Sequence, residues 1–105
     1  MGLKTEHKQV EISHNGVTTK VDEGLAPLLL AIWEKGIDTC LSCQENFPGI
    51  AWIMFTTAFD AERFLNLVFV YNRKKPFWET ISVSIRFPIT DIPLIMKRLK
   101  RHEIR

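Results

Sequence analysis

One helical stretch in the first half of the chain constrains the fold more than any other. Its apolar residues recur at i, i+3, i+4, i+7 and i+8, which places them on one face of an α-helix. Pro27 lacks an N–H and belongs in the first turn, so the helix is predicted to begin near Glu23 or Gly24. Gly36 is the predicted C-terminal stop. The predicted buried face consists of Leu25, Leu28, Leu29, Ile32 and Trp33.

The segment after this helix is predicted to be a strand that carries the candidate site. Apolar or β-branched residues alternate with small polar ones over residues 37–42, so the strand is expected to end near Ser42 or Cys43. A loop signal follows over residues 44–49. Polar groups placed where a strand meets a loop often form binding or catalytic sites. The candidate pocket therefore comprises Thr39, Ser42, Cys43 and Gln44.

The remaining segments also alternate between strands and helices. Asn15-Gly16 lies between two extended runs and predicts a β-hairpin. Residues 50–55 are apolar on both faces, which is typical of a central strand. Thr57 and Asp60 fit a capping box at the start of a second helix. Residues 77–87 alternate as one half-buried strand, and a last helix is predicted to begin near Thr90.

This order of elements predicts one α+β domain over residues 1–105, with residues 1–6 frayed. The predicted architecture is a ferredoxin-like sandwich, in which two helices cover one face of an antiparallel sheet. An N-terminal β-hairpin and an extra C-terminal helix complete it. The pattern leaves the strand order open.

Composition favours a globular protein without a membrane span. The hydrophobic fraction is 46%, and no apolar run approaches the length that a bilayer requires, which is about 18 residues. The first residues contain no apolar segment of the kind found in secretory signals. We therefore expect a cytoplasmic protein with two reduced cysteines and no membrane partner.

Cys40 and Cys43 form a CxxC motif, which suggests zinc binding or dithiol redox chemistry. In an extended strand, however, residues i and i+3 point to opposite faces and lie about 10 Å apart, which is too far for a disulfide. A single CxxC also supplies only half of a zinc site. Two small structural thiols are the preferred interpretation, so no metal and no cofactor is predicted. A nucleophilic Cys43 is the enzymatic alternative.

Charge is unevenly distributed along the chain. Residues 1–71 hold five Lys or Arg against nine Asp or Glu, whereas residues 72–105 hold nine against three. A basic second half can bind a polyanion such as nucleic acid, although cations in a last helical turn also complement the helix dipole. The candidate polyanion patch consists of Arg73, Lys74, Lys75, Lys97, Arg98, Lys100 and Arg101.

The second predicted helix carries apolar residues beyond one face, including Leu67, Phe69 and Val70. Either this helix is almost wholly buried or its spare face meets a second chain. Trp78 is predicted on the polar face of its strand, where an aromatic side chain often anchors an interface. We therefore predict a homodimer whose candidate interface comprises Leu67, Phe69 and Trp78.

The central stretch resembles a group of small uncharacterised proteins found in bacteria and their phages. The shared pattern is an acidic start, an Ala-Pro-Leu helix, a glycine and then Thr-x-x-Ser-Cys-Gln, and a helix that begins Asp60-Ala61-Glu62 is similar as well. The resemblance implies no activity and no catalytic residues, and it implies that Cys43, not Cys40, belongs to the pattern. The matching residues are Asp22-Glu23, Ala26-Pro27-Leu28, Gly36, Thr39 and Ser42-Cys43-Gln44.

The leading hypothesis from the sequence is a small cytoplasmic binding or interaction domain, homodimeric and phage-related, whose function is not fixed by any motif. Enzymatic activity is left open, with a non-enzyme favoured. One alternative is a ligand pocket or enzyme site around Thr39, Ser42, Cys43 and Gln44. The other is polyanion or nucleic-acid binding through the basic C-terminal half.

Overall fold

The computed structural model describes residues 7–68 and 79–101, and it gives only the backbone for residues 46, 47, 79, 81 and 101. Residues 1–6, predicted to be frayed, lie outside this description. Within it a β-hairpin is followed by a helix three times in succession. The elements are β1 (Gln9–His14), β2 (Val17–Asp22), α1 (Ala26–Glu34), β3 (Thr39–Phe47), β4 (Ile50–Phe55), α2 (Ala58–Val68), β5 (Glu79–Ile81), β6 (Ser84–Pro88) and α3 (Ile92–Arg101).

The first hairpin forms as its turn residues predict. Asn15 and Gly16 have φ values of 53° and 81°, and β1 pairs antiparallel with β2 from His14 opposite Val17 onward. Positive φ at both central positions defines a type I′ turn, whose twist matches that of the flanking strands. A 3₁₀ turn, Glu23–Leu25, then leads into α1. The predicted helix start at Glu23 or Gly24 therefore coincides with this turn.

The other four strands form one antiparallel sheet in the order β3-β4-β6-β5. The central position predicted for residues 50–55 is confirmed, because β4 pairs with β3 on one side and β6 on the other. The predicted α+β class is confirmed as well. A ferredoxin-like arrangement is not confirmed, because it would place the strand that precedes α1 inside the main sheet. In the described chain that strand, β2, pairs with β1 alone in a separate two-stranded sheet.

All three helices share one hydrophobic core with one face of the four-stranded sheet. The face predicted for α1 is buried at Leu28, Leu29 and Ile32, while Trp33 packs against the core from its edge. Complete burial of one such side chain stabilises the fold by about 1.5–3 kcal/mol. The sheet contributes the inward residues of its two central strands, which alternate with less buried ones. These inward residues are Ala51, Ile53, Phe55, Ile85 and Phe87.

Two predicted strand boundaries are wrong. The predicted single strand over residues 77–87 is a hairpin, with Ser82 and Val83 between β5 and β6. Ser82 has φ of 55°, a conformation that the alternation of side chains does not reveal. The strand predicted to end near Ser42 or Cys43 instead continues to Phe47, so the expected loop over residues 44–49 is reduced to a turn at Pro48 and Gly49.

The helix ends are capped by hydrogen bonds from residues nearby in the sequence and, at the end of α1, from a side chain of another helix. Gly36 has φ of 78° and its N–H donates to the carbonyl of Trp33, as expected for a C-terminal stop. The Arg63 guanidinium, from α2, donates to the carbonyls of Lys35 and Gly36 at 2.9 and 3.0 Å. The Thr57 hydroxyl accepts the N–H of Asp60 at 3.1 Å, which confirms the predicted N-cap.

Candidate functional site

A cavity of about 470 Å³ lies between the first hairpin, the end of α1 and the start of β3. This volume falls within the usual range for small-ligand sites, roughly 300–1,000 Å³. Two predicted pocket residues, Thr39 and Ser42, line it, whereas Cys43 and Gln44 do not. The lining residues are Gln9, His14, Asn15, Val17, Thr19, Lys20, Val21, Leu29, Trp33, Asp38, Thr39, Cys40, Leu41 and Ser42.

The floor of the cavity is held in place by Trp33. Its indole N–H donates to the hydroxyl of Thr39 at 2.9 Å, which ties the last turn of α1 to the first residue of β3. The ring of His14 lies on the other side, with centroids 6.0 Å apart and planes inclined at 39°. The two rings therefore form an aromatic part of the cavity lining that is in contact with both β1 and β3.

The rims of the cavity expose apolar side chains on both sides. Val17 on β2 is 65% exposed and Leu41 on β3 is 59% exposed. Single exposed apolar residues are ordinary, but two that line one cavity add apolar surface from which a ligand can displace water. Lys20 and Asp38 also line the cavity, and neither forms an ion pair with another described residue.

A β-bulge at Cys40 interrupts the alternation of side chains at the start of β3. Thr39 is opposite Phe55 and Leu41 is opposite Met54, so Cys40 is an extra residue on β3. Cys40 is exposed in the cavity, and its Sγ lies 3.8 Å from the Thr56 hydroxyl. The strand geometry thus assigns the cavity thiol to Cys40 and not to Cys43, which the sequence favoured.

Cys43 has a partly buried position instead. It lies opposite Trp52 in the β3–β4 ladder and therefore shares the face of the sheet that Trp52 occupies. Both cysteines are free thiols. Within residues 7–68 and 79–101, no group of three or more His, Cys, Asp or Glu side chains is arranged to hold a metal ion.

Gln44 fastens β3 to the end of β2. Its backbone N–H donates to the Asp22 carboxylate at 2.7 Å, and its side-chain oxygen accepts the N–H of Gly24 at 2.8 Å. Asp22 is only 8% exposed and also accepts a bond from the Gln9 amide at 3.2 Å. A Cβ at Gly24 would lie 2.4 Å from the Gln44 side chain, so the glycine permits this contact. The Asp22–Gly24–Gln44 arrangement is named the Gln44 latch below.

His7 extends the charged surroundings of this latch. Its Nε2 lies 3.4 Å from a carboxylate oxygen of Glu45, and its Nδ1 lies 4.0 Å from Asp22. The other oxygen of Glu45 accepts the N–H of Gly49 at 2.7 Å. These contacts explain why β3 remains extended through a segment that its Asn, Pro and Gly residues predict to be a loop.

The candidate polyanion patch is only partly described. Lys97 and Lys100 are exposed on α3, but the Arg98 guanidinium donates to the carbonyl of Val68 at 2.6 Å and so caps the end of α2. The backbone alone is described for Arg101. The other members, Arg73, Lys74 and Lys75, lie outside the described residues.

The candidate dimer interface also falls largely outside the description. Leu67 is partly buried and packs against the core, and its place in an interface stays a prediction. Phe69 and Trp78 lie outside the described residues. Large exposed apolar side chains occur elsewhere: Val17, Leu41, Phe59 and Leu94.

The fold and the cavity define a small α+β protein with a cleft between two sheets. Comparisons with protein-family models, curated proteins and solved structures give no match. No helix in the described part of the chain is long and apolar enough to cross a membrane.

Proposed function

We propose that this protein is a cytoplasmic ligand-binding domain whose site is the cavity between β2 and β3. The observation that carries the proposal is the pairing of a concave site with exposed apolar rims, Val17 on one strand and Leu41 on the other. Apolar walls that carry a few polar groups are the usual composition of ligand sites. Here the polar groups include Lys20, Asp38 and Ser42.

The hydrogen bonds at the cavity favour binding over catalysis. The Thr39 hydroxyl already accepts a bond from Trp33, and the Cys40 thiol faces the Thr56 hydroxyl. A nucleophile is normally activated by a base within hydrogen-bond reach, whereas these partners are neutral donors or acceptors. Side chains whose polar groups already bond to neighbouring residues suit a site that holds a ligand without reacting with it.

The experiment that tests this proposal maps small-molecule fragments on the ¹⁵N-labelled protein by NMR. Fragment binding is expected to shift amides of residues 17–20 and 38–42. Thr19→Tyr should abolish these shifts, because Thr19 lines the cavity and the larger side chain fills it. Ser13→Tyr is the matched control, since Ser13 is an exposed residue of the same hairpin, on β1, and does not line the cavity. Shifts that avoid the cavity, or that survive Thr19→Tyr, would refute the proposal.

Homodimerisation and polyanion binding stay predictions. Phe59 offers a new dimer candidate, because it is 69% exposed at the start of α2 with the Arg63 guanidinium 5.8 Å from its ring centroid. A monomeric mass in light scattering at tens of micromolar protein would contradict the dimer. Polyanion binding would be contradicted by the absence of any retention of a model DNA duplex at low salt.

A further inference from the structure

The cavity separates two strand edges that lack a strand partner within the described chain. β3 is the outermost strand of the four-stranded sheet, and β2 pairs with β1 alone. Residues from both strands line the cavity, so the two edges face the same space. Unpaired strand edges present backbone donors and acceptors to whatever lies beside them.

On β3, the register shows which backbone groups point into this space. The Phe55 N–H donates to the carbonyl of Val83, so Phe55 directs its backbone groups toward β6, and Ile53 does the same by alternation. Their partners on β3 are Thr39 and Ser42. The N–H and C=O groups of Thr39 and Ser42 therefore point away from β4, into the cavity.

On β2, the two-residue turn determines which backbone groups point away from β1. The pair that flanks the turn, His14 and Val17, is the hydrogen-bonded one, so alternate residues from Thr18 onward direct their backbone groups away from β1. Those residues are Thr18 and Lys20. Among the described residues, no backbone hydrogen bond outside the β1–β2 and β3–β4 ladders involves residues 17–21 or 39–43.

The Gln44 latch shows that this edge of β3 already accepts a partner. The N–H of Gln44 belongs to the same outward series as that of Ser42, two residues earlier, and it is bonded to the Asp22 carboxylate at 2.7 Å. The Asp22 carboxylate of the first hairpin thus accepts one of the N–H groups that β3 directs away from β4. Beyond the latch the next donors on this edge, Ser42 and Thr39, face the cavity instead.

We infer that the occupant of the cavity is an extended peptide segment, which adds a strand between β2 and β3. This inference rests on the proposed function and names its ligand class. Strand spacing, rise and sheet thickness give roughly 160 Å³ per strand residue, so a cavity of about 470 Å³ holds about three residues. Such a strand would join the two separate sheets, as in other cases of recognition by β-augmentation.

Charge on the cavity walls selects the peptide. β2 and β3 run in the same direction, because Asp22 meets Gln44 at one end while Trp33 contacts both His14 and Thr39 at the other. A peptide antiparallel to both strands, the more stable pairing, begins near Lys20 and ends near Asp38. It therefore carries an acidic residue, an apolar residue over Leu29 and Trp33, and a basic residue, in that order.

The test uses blocked pentapeptides Thr-Asp-X-Lys-Thr in which X is Val, Leu, Ile or Phe. Titration of the ¹⁵N-labelled protein should shift the amides of residues 17–20 and 39–42. The charge-reversed peptides Thr-Lys-X-Asp-Thr should bind at least tenfold more weakly. N-methylation at X should abolish binding, because every N–H of a strand inserted between two others faces a partner. Thr19→Tyr should abolish binding, and Ser13→Tyr, at an exposed position of β1 that does not line the cavity, should leave it unchanged.

Each other outcome overturns the inference. If fragments bind in the cavity but none of the peptides does, or if N-methylation has no effect, the peptide class is wrong while the proposed function stands. If neither fragments nor peptides shift cavity residues, the proposed function fails as well. If the same amides shift with protein concentration alone and the mass doubles, the occupant is a second copy of this chain.

Discussion

The two ends of β3 share one edge yet meet the first hairpin differently. At Gln44 the edge is closed, because Asp22 accepts the backbone N–H and Gly24 donates to the side chain. At Thr39 and Ser42 the same edge faces a cavity of about 470 Å³. The difference comes from side chains at the end of β2, which supply hydrogen bonds at one end only. The contacts at Gln44 hold the first hairpin beside β3. The backbone groups of Thr39 and Ser42 are left without a strand partner among the described residues.

Asp22→Ala should lower the free energy of unfolding the most, because it removes the acceptor that closes the edge at Gln44. This change removes an almost buried carboxylate and leaves the Gln44 N–H and the Gln9 amide without their acceptor. Hydrogen bonds to a charged group contribute roughly 1.5–3 kcal/mol each, so the free energy of unfolding should fall by about 3 kcal/mol. Chemical denaturation measures it. The control Glu23→Ala, at an exposed neighbour, should change stability by less than about 0.5 kcal/mol. Equal effects of the two variants would contradict the role given to Asp22.

Gly24→Ala should destabilise the closed end by steric conflict. The new Cβ would displace the flexible Gln44 amide, and the resulting loss of its hydrogen bond from the Gly24 N–H costs about 0.5–1.5 kcal/mol. In a Gln44→Ala background the obstacle is absent, so the same substitution should be nearly neutral. A double-mutant cycle on the free energy of unfolding checks this coupling. Additive effects would show that Gly24 is not required by Gln44.

Trp33→Phe should weaken the open end by a smaller amount. It keeps an aromatic floor but removes the N–H that donates to Thr39, which leaves one acceptor without a partner. The free energy of unfolding should fall by about 1 kcal/mol. Fragment affinity in the cavity should fall as well, because Trp33 no longer fixes the start of β3. If stability falls but fragment affinity is unchanged, the hydrogen bond between Trp33 and Thr39 does not contribute to binding.

Thiol labelling distinguishes the two cysteines along β3. Cys40 is exposed in the cavity, whereas Cys43 is partly buried opposite Trp52. Cys40 should therefore react with a neutral maleimide on the order of tenfold faster than Cys43, since access governs the rate between thiols of similar character. Mass spectrometry after proteolysis resolves the two sites. Faster labelling of Cys43 would place the bulge elsewhere in β3.

The smallest expected effects come from the basic helix α3. Arg98→Ala should cost about 1 kcal/mol, because its guanidinium caps the carbonyl of Val68 at the end of α2. Lys97→Ala and Lys100→Ala, at exposed positions of the same helix, should each change stability by less than about 0.5 kcal/mol. Thermal unfolding of the three variants measures the difference. If all three variants lose similar stability, the contact of Arg98 with Val68 does not stabilise the protein more than the exposed lysines do.

Local signals predicted those parts of the fold that local chemistry determines. The Asn15-Gly16 turn, the Gly36 stop and the Thr57 cap each depend on residues within a few positions, and all three form. The buried face of α1 follows from helical periodicity alone. Thr39 and Ser42, two of the four residues of the candidate pocket, line the cavity because both lie on β3 beside it.

The features that the sequence did not predict depend on distant partners. The bulge at Cys40 is visible only in the register with β4, and it moves the accessible thiol away from the predicted Cys43. Gln44 looked like a pocket residue, yet its partners Asp22 and Gly24 lie about twenty positions earlier in the chain. The one available signal was the unusual glycine at Gly24, next to two acidic residues before an apolar helix.

Amide hydrogen exchange along β3 distinguishes the bonded edge at Gln44 from the open edge at Thr39 and Ser42. In the free protein the Gln44 N–H should be protected by Asp22, while the N–H groups of Thr39 and Ser42 should exchange rapidly. A bound peptide should slow exchange at Thr39 and Ser42 and leave Gln44 unchanged. If Ser42 and Thr39 are as protected as Gln44 without any ligand, the edge is already paired, and the cavity is not an open strand site.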